Sequence, residues 1–391
     1  MIKKRDLPLI FESMAILAGT IIGGGIFVLP YINIKSGIIA TNFWLLFLCG
    51  LLCLLHLIFG EIILKTKEEM RLPGYAGHYL GKMVKKFLNF VSIFSMAFSL
   101  LIYIILANKF VHVLMGDSFG YMKPYTFIFI WLALNVFLFL KMVDASKLNF
   151  GLTFCLMGLM VLLSYLCFQR LEVENLILIK QTVSNYWYIA YGVIFFAIDG
   201  LVAMPMMFNF LKHKKASKAV YVKSVILTYV FIFLLFFAFM NSVSLLSGFS
   251  TSIDTFSGLI PFLGRGVLVL GALIGLLAVV TSYIVFVNYY KDMLRCDVNC
   301  NKIVSVLVSM FLPLGFLLLD IKKLDDLMSL VGGVIGGMIA VIVLLIYHKI
   351  RNKNVKTSPY NLNLPNWLLV AIGCFCFFGA ITQIVLRLLN I

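Results

Sequence analysis

Gly19-Thr20-Ile21-Ile22-Gly23-Gly24-Gly25-Ile26-Phe27-Val28-Leu29-Pro30 is the stretch that decides the fold. It lies inside a run apolar enough to cross a bilayer, yet it carries three consecutive glycines and a proline. In hydrocarbon each unpaired backbone N–H or C=O costs several kcal/mol, so an opened helix persists only where protein, water or a ligand supplies partners. The competing reading is a close-packing face against another helix. Three adjacent glycines cannot share one helix face, which favours the break. A broken helix at mid-membrane presents carbonyls on one half and N–H groups on the other, a site suited to a small zwitterion.

The surrounding chain is of one kind. It is 62% hydrophobic and 12% charged, with a mean hydropathy of +1.06, far from a soluble domain. Apolar runs of spanning length recur at 8–33, 37–64, 87–115, 124–142, 148–169, 185–211, 219–246, 263–290, 303–320, 325–348 and 366–390. Residues 1–391 therefore read as one all-α membrane domain of about eleven transmembrane helices. No cleavable signal peptide is expected, because the first apolar run is long and lacks a small-residue cleavage site.

The net charge of +16 is a topology signal, not a nucleic-acid footprint. With the N-terminus inside, 23 of the 32 Lys and Arg fall in one set of loops and 9 in the other. The excess marks the cytoplasmic side and contacts anionic headgroups of the lipid bilayer. The protein is thus expected in the cell membrane with its N-terminus cytoplasmic and its C-terminus outside. The cysteines lie mostly in apolar spans and read as small hydrophobes. Cys296 and Cys300 flank a short loop without a histidine at ligand spacing.

The sixth span holds an echo of the first. Gly25 is followed by four apolar residues and Pro30, and Gly200 by four apolar residues and Pro205. Five spans separate them, so the second copy runs upside down. The pattern predicts an inverted repeat of five plus five helices, about 8–170 and 185–348, with an extra helix at about 366–390. Helices 1 and 6 are expected to be discontinuous around a midplane site.

The run from Gly19 to Tyr31 resembles the first-helix signature of the amino acid/auxin permease family, within the amino acid–polyamine–organocation superfamily of LeuT-like fold. Phe196-Ala197-Ile198-Asp199-Gly200 resembles that family's sixth-helix segment, and Leu330-Val331-Gly332-Gly333-Val334-Ile335-Gly336-Gly337 its tenth helix. Gly24 stands where relatives often have Ser or Ala. The resemblance implies a secondary active amino acid transporter working by alternating access, by ion-coupled symport of a neutral amino acid. An exchanger or exporter of the same fold is the alternative. A membrane-embedded enzyme is the rival class, but the chain has five His and no HExxH or GxSxG motif, so no catalytic constellation is expected. Nothing in the sequence calls for a cofactor or an obligate protein partner.

Candidate site residues follow. The carbonyls of Gly19, Thr20, Ile21 and Ile22 end the first half-helix and suit an ammonium or a cation. The N–H groups of Gly23, Gly24, Gly25 and Ile26 begin the second half near Gly25 and suit a carboxylate. Asp199 is the acid placed near the centre of a span. Three roles are open to it: cap of the half-helix from Gly200 onward, partner of a substrate ammonium, or proton carrier. The resemblance places Phe195 or Phe196, with Ala197, over the substrate and Tyr103 against the site; ordinary packing and a structural hydrogen bond are the alternatives. It also implies a sodium site from the carbonyls of Gly19, Ile22 and Ala278 and the hydroxyls of Thr281 and Ser282. Sodium, protons, or exchange without a coupling ion remain the three options. Glu61 is expected to meet Arg71 or Lys65 at the inner mouth. His56 lies five residues before Glu61, too far round the helix to share its face cleanly.

Overall fold

The computed structural model describes residues 6–66, 68–115, 124–139, 145–177, 187–319, 323–351 and 361–388. They form helices, with no strand among the described residues. Seven helices are long and apolar enough to cross a membrane, and the bent pair Asp6–Ile21 and Gly24–Ser36 makes an eighth span. Three shorter apolar helices, Tyr125–Val136, Thr153–Phe168 and Lys302–Leu318, complete the expected eleven. The helix ends fall close to the sequence reading: Ile38–Lys65, Lys82–Met115, Lys218–Ser247 and Arg265–Cys296 form the second, third, seventh and eighth spans. A short helix at Leu72–Leu80 lies between the second and third spans.

The first span breaks where its glycines predict. Its first half, Asp6–Ile21, meets its second at 52°. The second half does not begin as an α-helix near Gly25. Gly24–Val28 forms a 3-10 turn, and the α-helix runs over Leu29–Ser36 with Pro30 in its first turn. Proline suits that position because its missing N–H would be unpaired there anyway and its φ is already helical. The sixth span repeats the arrangement. The helix Ile189–Ile198 stops at Asp199, a 3-10 turn covers Leu201–Ala203, and Met204–His213 resumes with Pro205 in its first turn. This interruption has no comparable bend. The two proline echoes are therefore two half-helix starts, five spans apart.

The tenth span runs from Leu324 to Arg351 and widens into a π-helix over Leu330–Gly336. Its glycines let backbones touch. A Cβ at Gly332 would sit 2.1 Å from the Gly192 carbonyl of the sixth span, and one at Gly192 would sit 2.7 Å from the Ser329 carbonyl. Close backbone approach is what small residues supply in membrane helix packing. The eleventh span, Asn366–Leu388, is tied in by Gln383. Its amide donates to the Tyr188 carbonyl at 2.7 Å, and its oxygen accepts from Ser329 at 2.5 Å.

Candidate functional site

The first-span break is surrounded by four other spans. A Cβ at Gly23 would lie 2.7 Å from the Ser282 hydroxyl and 3.8 Å from that of Tyr103; one at Gly24 would meet Leu106 and Val279, each at 2.9 Å. One at Gly25 would meet the Ala197 backbone at 3.4 Å, and Phe196 and Met328 at 3.5 Å. Spans one, three, six, eight and ten thus converge on these glycines. Gly23 and Gly24 lie tightly against the third and eighth spans. Gly25 faces the sixth-span break and has room.

The break also redistributes its hydrogen bonds. The Ile22 amide reaches back to Ala18 at 2.7 Å, and the Gly23 amide donates to the Ile21 carbonyl at 2.9 Å. The Gly23 donor and the Ile21 acceptor are thus paired with one another. Gly24 and Gly25 head the 3-10 turn, where the helix provides no acceptor for their N–H groups. Thr20 turns its hydroxyl back to the Ile16 carbonyl at 3.2 Å.

The aromatic candidates separate. Phe195 is buried toward the tenth span: a Cβ at Gly336 would lie 2.6 Å from its ring, and Tyr191 packs edge-on to it. Phe196 is the one that faces Gly25. Tyr103 is buried and hydrogen-bonded to Ser282, with its ring edge-on to Phe286.

Asp199 caps. One carboxylate oxygen accepts from the Leu201 amide at 3.1 Å, which satisfies a donor at the start of the second half of the span. The same oxygen lies 3.7 Å from Nε2 of His56. His56 on the second span had no partner assigned from the sequence, lying too far round the helix from Glu61. It faces instead the sixth-span break and Tyr229 of the seventh span, whose hydroxyl donates to the Ile198 carbonyl at 3.2 Å. Glu61 is taken up by Lys65 at 2.7 Å and by the Leu362 amide at 2.9 Å. Arg71 reaches Asp292 at 2.9 Å, its guanidinium over the Tyr289 ring. The sequence held a signal for His56, a lone buried histidine, but none for its partners.

The sodium donor set matches that cation in type, five neutral oxygens. In this conformation the Thr281 hydroxyl donates to the Ala278 carbonyl at 2.9 Å, and Ser282 is paired with Tyr103. Among the described residues no cluster of His, Cys, Asp and Glu has metal-binding geometry.

A cavity reaches the breaks from one face. A cavity of about 370 Å³, lined by Thr20, Arg71, Val202, Ala203, Tyr289 and Asp292 among others, runs from the loops on the N-terminal face to both breaks. The opposite side is sealed by buried rings: Phe27 lies 5.2 Å from Phe110 and 5.3 Å from Phe256, and Phe239 adds a fourth ring at 6.5 Å. Thr255 donates to the Phe27 carbonyl within this plug. Above it, Lys35 of the first span pairs with Asp325 of the tenth at 2.6 Å.

A chain with two interrupted helices around a buried site, open to one face and sealed at the other, has the architecture of an alternating-access carrier. Comparison with solved structures agrees. The chain is similar to Mhp1, a nucleobase-cation-symport-1 family transporter, in a closed conformation with bromovinylhydantoin bound; identity is 13%, TM-score 0.60, and the match covers 96% of this chain and 90% of that one. It is similar also to the inward-facing conformation of Mhp1, at 14% identity and TM-score 0.63, covering 95% and 88%. At such identities the likeness is one of fold, the LeuT-like fold. No curated protein sequence matches the chain. The family model that matches spans residues 7–383 and is that of the tryptophan/tyrosine permeases, not of the amino acid/auxin permeases. The chain is a multi-pass membrane transporter, not an enzyme, and it belongs to the tryptophan/tyrosine permease family.

Proposed function

We propose that this permease carries an aromatic amino acid between the two faces of the membrane, binding it at the facing breaks of the first and sixth spans. The observation that carries the reading is the placement of Gly25 against Ala197 and Phe196. The substrate carboxylate sits at the Gly24 and Gly25 amides, at the positive end of the second half-helix. The ammonium sits against the carbonyls of Gly19 and Thr20 that end the first half-helix. The substrate ring lies by Phe196 and Met328, with Tyr103 fixed behind Gly23 by Ser282. Asp199 is kept from the carboxylate end by its own charge and serves the break as its cap.

The positive charges gathered on the N-terminal face support a cytoplasmic N-terminus, so the cavity opens inward and the phenylalanine plug closes the outside. The domain is one unit of two inverted repeats, with the eleventh span added. Its finer kinship to the amino acid/auxin permeases rests on the Gly19–Tyr31 run, the Phe196–Gly200 segment and the Leu330–Gly337 stretch.

The test is counterflow into proteoliposomes of the purified chain, with tryptophan, tyrosine and phenylalanine compared with leucine, alanine and lysine. Exchange confined to the aromatic substrates is expected. Exchange of aliphatic or basic substrates at equal rate would overturn the aromatic assignment. Imposing a sodium or a proton gradient on the same vesicles then separates symport from plain exchange.

A further inference from the structure

Nδ1 of His56 lies 2.7 Å from the Leu52 carbonyl. A carbonyl only accepts, so Nδ1 carries a hydrogen. The Gly200 carbonyl lies within electrostatic range of the ring, and Nε2 faces the Asp199 carboxyl at 3.7 Å. A neutral imidazole has one N–H, and here it is committed to Leu52. Its other nitrogen would turn a lone pair toward a carbonyl and a carboxylate. Acceptors facing acceptors beside a fully buried ring are costly. A single added proton removes the conflict, because an imidazolium donates from both nitrogens and the carboxylate balances its charge. We propose that His56 and Asp199 together bind one proton, the ion coupled to transport; this rests on the transport reading above.

The surroundings fit a proton store with one entrance. His56 has no exposed surface, whereas the Asp199 side chain is 34% exposed. Tyr289, which lines the cavity of the N-terminal face, lies within electrostatic range of Asp199. A proton from the cavity water bonds first to an Asp199 oxygen. It then passes to Nε2, forming the N–H and leaving the carboxylate. The reverse step returns it to water, and nothing is oxidised or reduced. Tyr229 donates to the Ile198 carbonyl and sets its oxygen 3.2 and 3.4 Å from the two ring nitrogens, which holds the ring against the break.

Coupling follows from the cap. The Asp199 oxygen that faces His56 is the one that accepts from Leu201. Protonation changes how strongly that oxygen holds the start of the second half-helix. Loading the proton and arranging the substrate break are therefore linked through one atom.

The other titratable groups near the pair are few. Tyr229 comes from the seventh span and Tyr289 from the eighth; Cys49 and Cys53 precede His56 on the second span, and Glu61 beyond it is held by Lys65. The half-helix Met204–His213 buries apolar Met204, Met207, Phe208 and Leu211. Tyr347 of the tenth span lies beside Glu61.

The test uses the full chain in proteoliposomes with a trapped pH-sensitive dye and a downhill tryptophan or tyrosine gradient. Wild type is expected to acidify the lumen as substrate enters, with an uptake rate that depends on pH. His56→Gln and Asp199→Asn are expected to lose at least about tenfold of the proton movement per substrate moved, and the pH dependence with it. Tyr229→Phe keeps both partners and is expected to keep proton movement, with a displaced pH midpoint. Should His56→Gln not fold, Asp199→Asn gives the same reading, since an amide oxygen still accepts from Leu201. Wild-type net uptake down the substrate gradient without proton movement would overturn the proposal, as would variants that still carry protons with substrate. Absence of any wild-type counterflow would instead overturn the transport reading on which the proposal stands.

Discussion

The three glycines of the first break are not equivalent residues, and their substitution separates folding from binding. A side chain at Gly24 would collide with Leu106 and Val279 at 2.9 Å. Overpacking of this kind costs about 1–3 kcal/mol. Gly24→Val is therefore expected to lower the unfolding temperature in detergent whether or not substrate is present, a result that a thermal melt detects. Gly25→Ala meets its neighbours at ordinary contact distances, 3.4–3.5 Å. It is expected to melt like wild type but to lose substrate-induced stabilisation, because its methyl group fills the space between the two breaks. A Gly25→Ala protein that tryptophan still stabilises fully would place the substrate elsewhere. Phe196, which faces Gly25, is expected to matter more to substrate than Phe195, which is packed on the tenth span. Comparing Phe196→Ala with Phe195→Ala in both melts and counterflow checks the assignment.

Between elements, the two ends of the site are closed by different chemistry. On the sealed side Lys35 of the first span and Asp325 of the tenth are partly exposed, 33% and 12%. A partly solvated pair of this kind is worth about 1 kcal/mol or less. Its loss should shift the balance between the sealed and opened states by up to ~5-fold, well short of what fully inverts an equilibrium. Lys35→Gln is expected to raise the labelling rate of a cysteine placed at the buried Val28, which leaves the rings of the plug in place, by that factor, against the same cysteine in the intact pair and on a background without the native cysteines. An unchanged rate would mean that the aromatic plug alone holds this side. The eleventh span depends on Gln383, which satisfies both the Tyr188 carbonyl and Ser329. Gly333 leaves the space for that side chain, since a Cβ there would come within 2.8 Å of it. Gln383→Leu leaves the Ser329 hydroxyl without its acceptor and takes a donor from the Tyr188 carbonyl, at about 1–3 kcal/mol for the buried polar group. A lowered melting temperature with substrate affinity retained is the expected result.

At the scale of the whole molecule, the charge distribution predicts that a reporter fused after the eleventh span is active only outside the cytoplasm. Activity inside would mean an even number of spans and would undo the five-plus-five-plus-one count. Much of this architecture is legible in the chain. The spans follow from apolar runs long enough to cross a bilayer, because hydrocarbon leaves a backbone no partner but itself. The two breaks follow from Gly23–Gly25 and from the paired Gly and Pro of the first and sixth spans, because a glycine run and a proline act locally on the backbone that carries them. What the sequence could not decide is which side chains meet across spans. His56 lies 143 residues before Asp199 in numbering, a separation over which no period or motif reports contact, yet the fold sets them 3.7 Å apart. The same holds for Ser282 with Tyr103, for Lys35 with Asp325, and for the choice of Phe196 over Phe195. Hydropathy registers that a residue is in the membrane, but it carries no information on which way a helix is rotated. That rotation is set by packing against neighbours, here by glycines that let the sixth and tenth spans touch. The sequence by itself determined a membrane carrier with two opened helices; only the tertiary structure decided which groups face the opening.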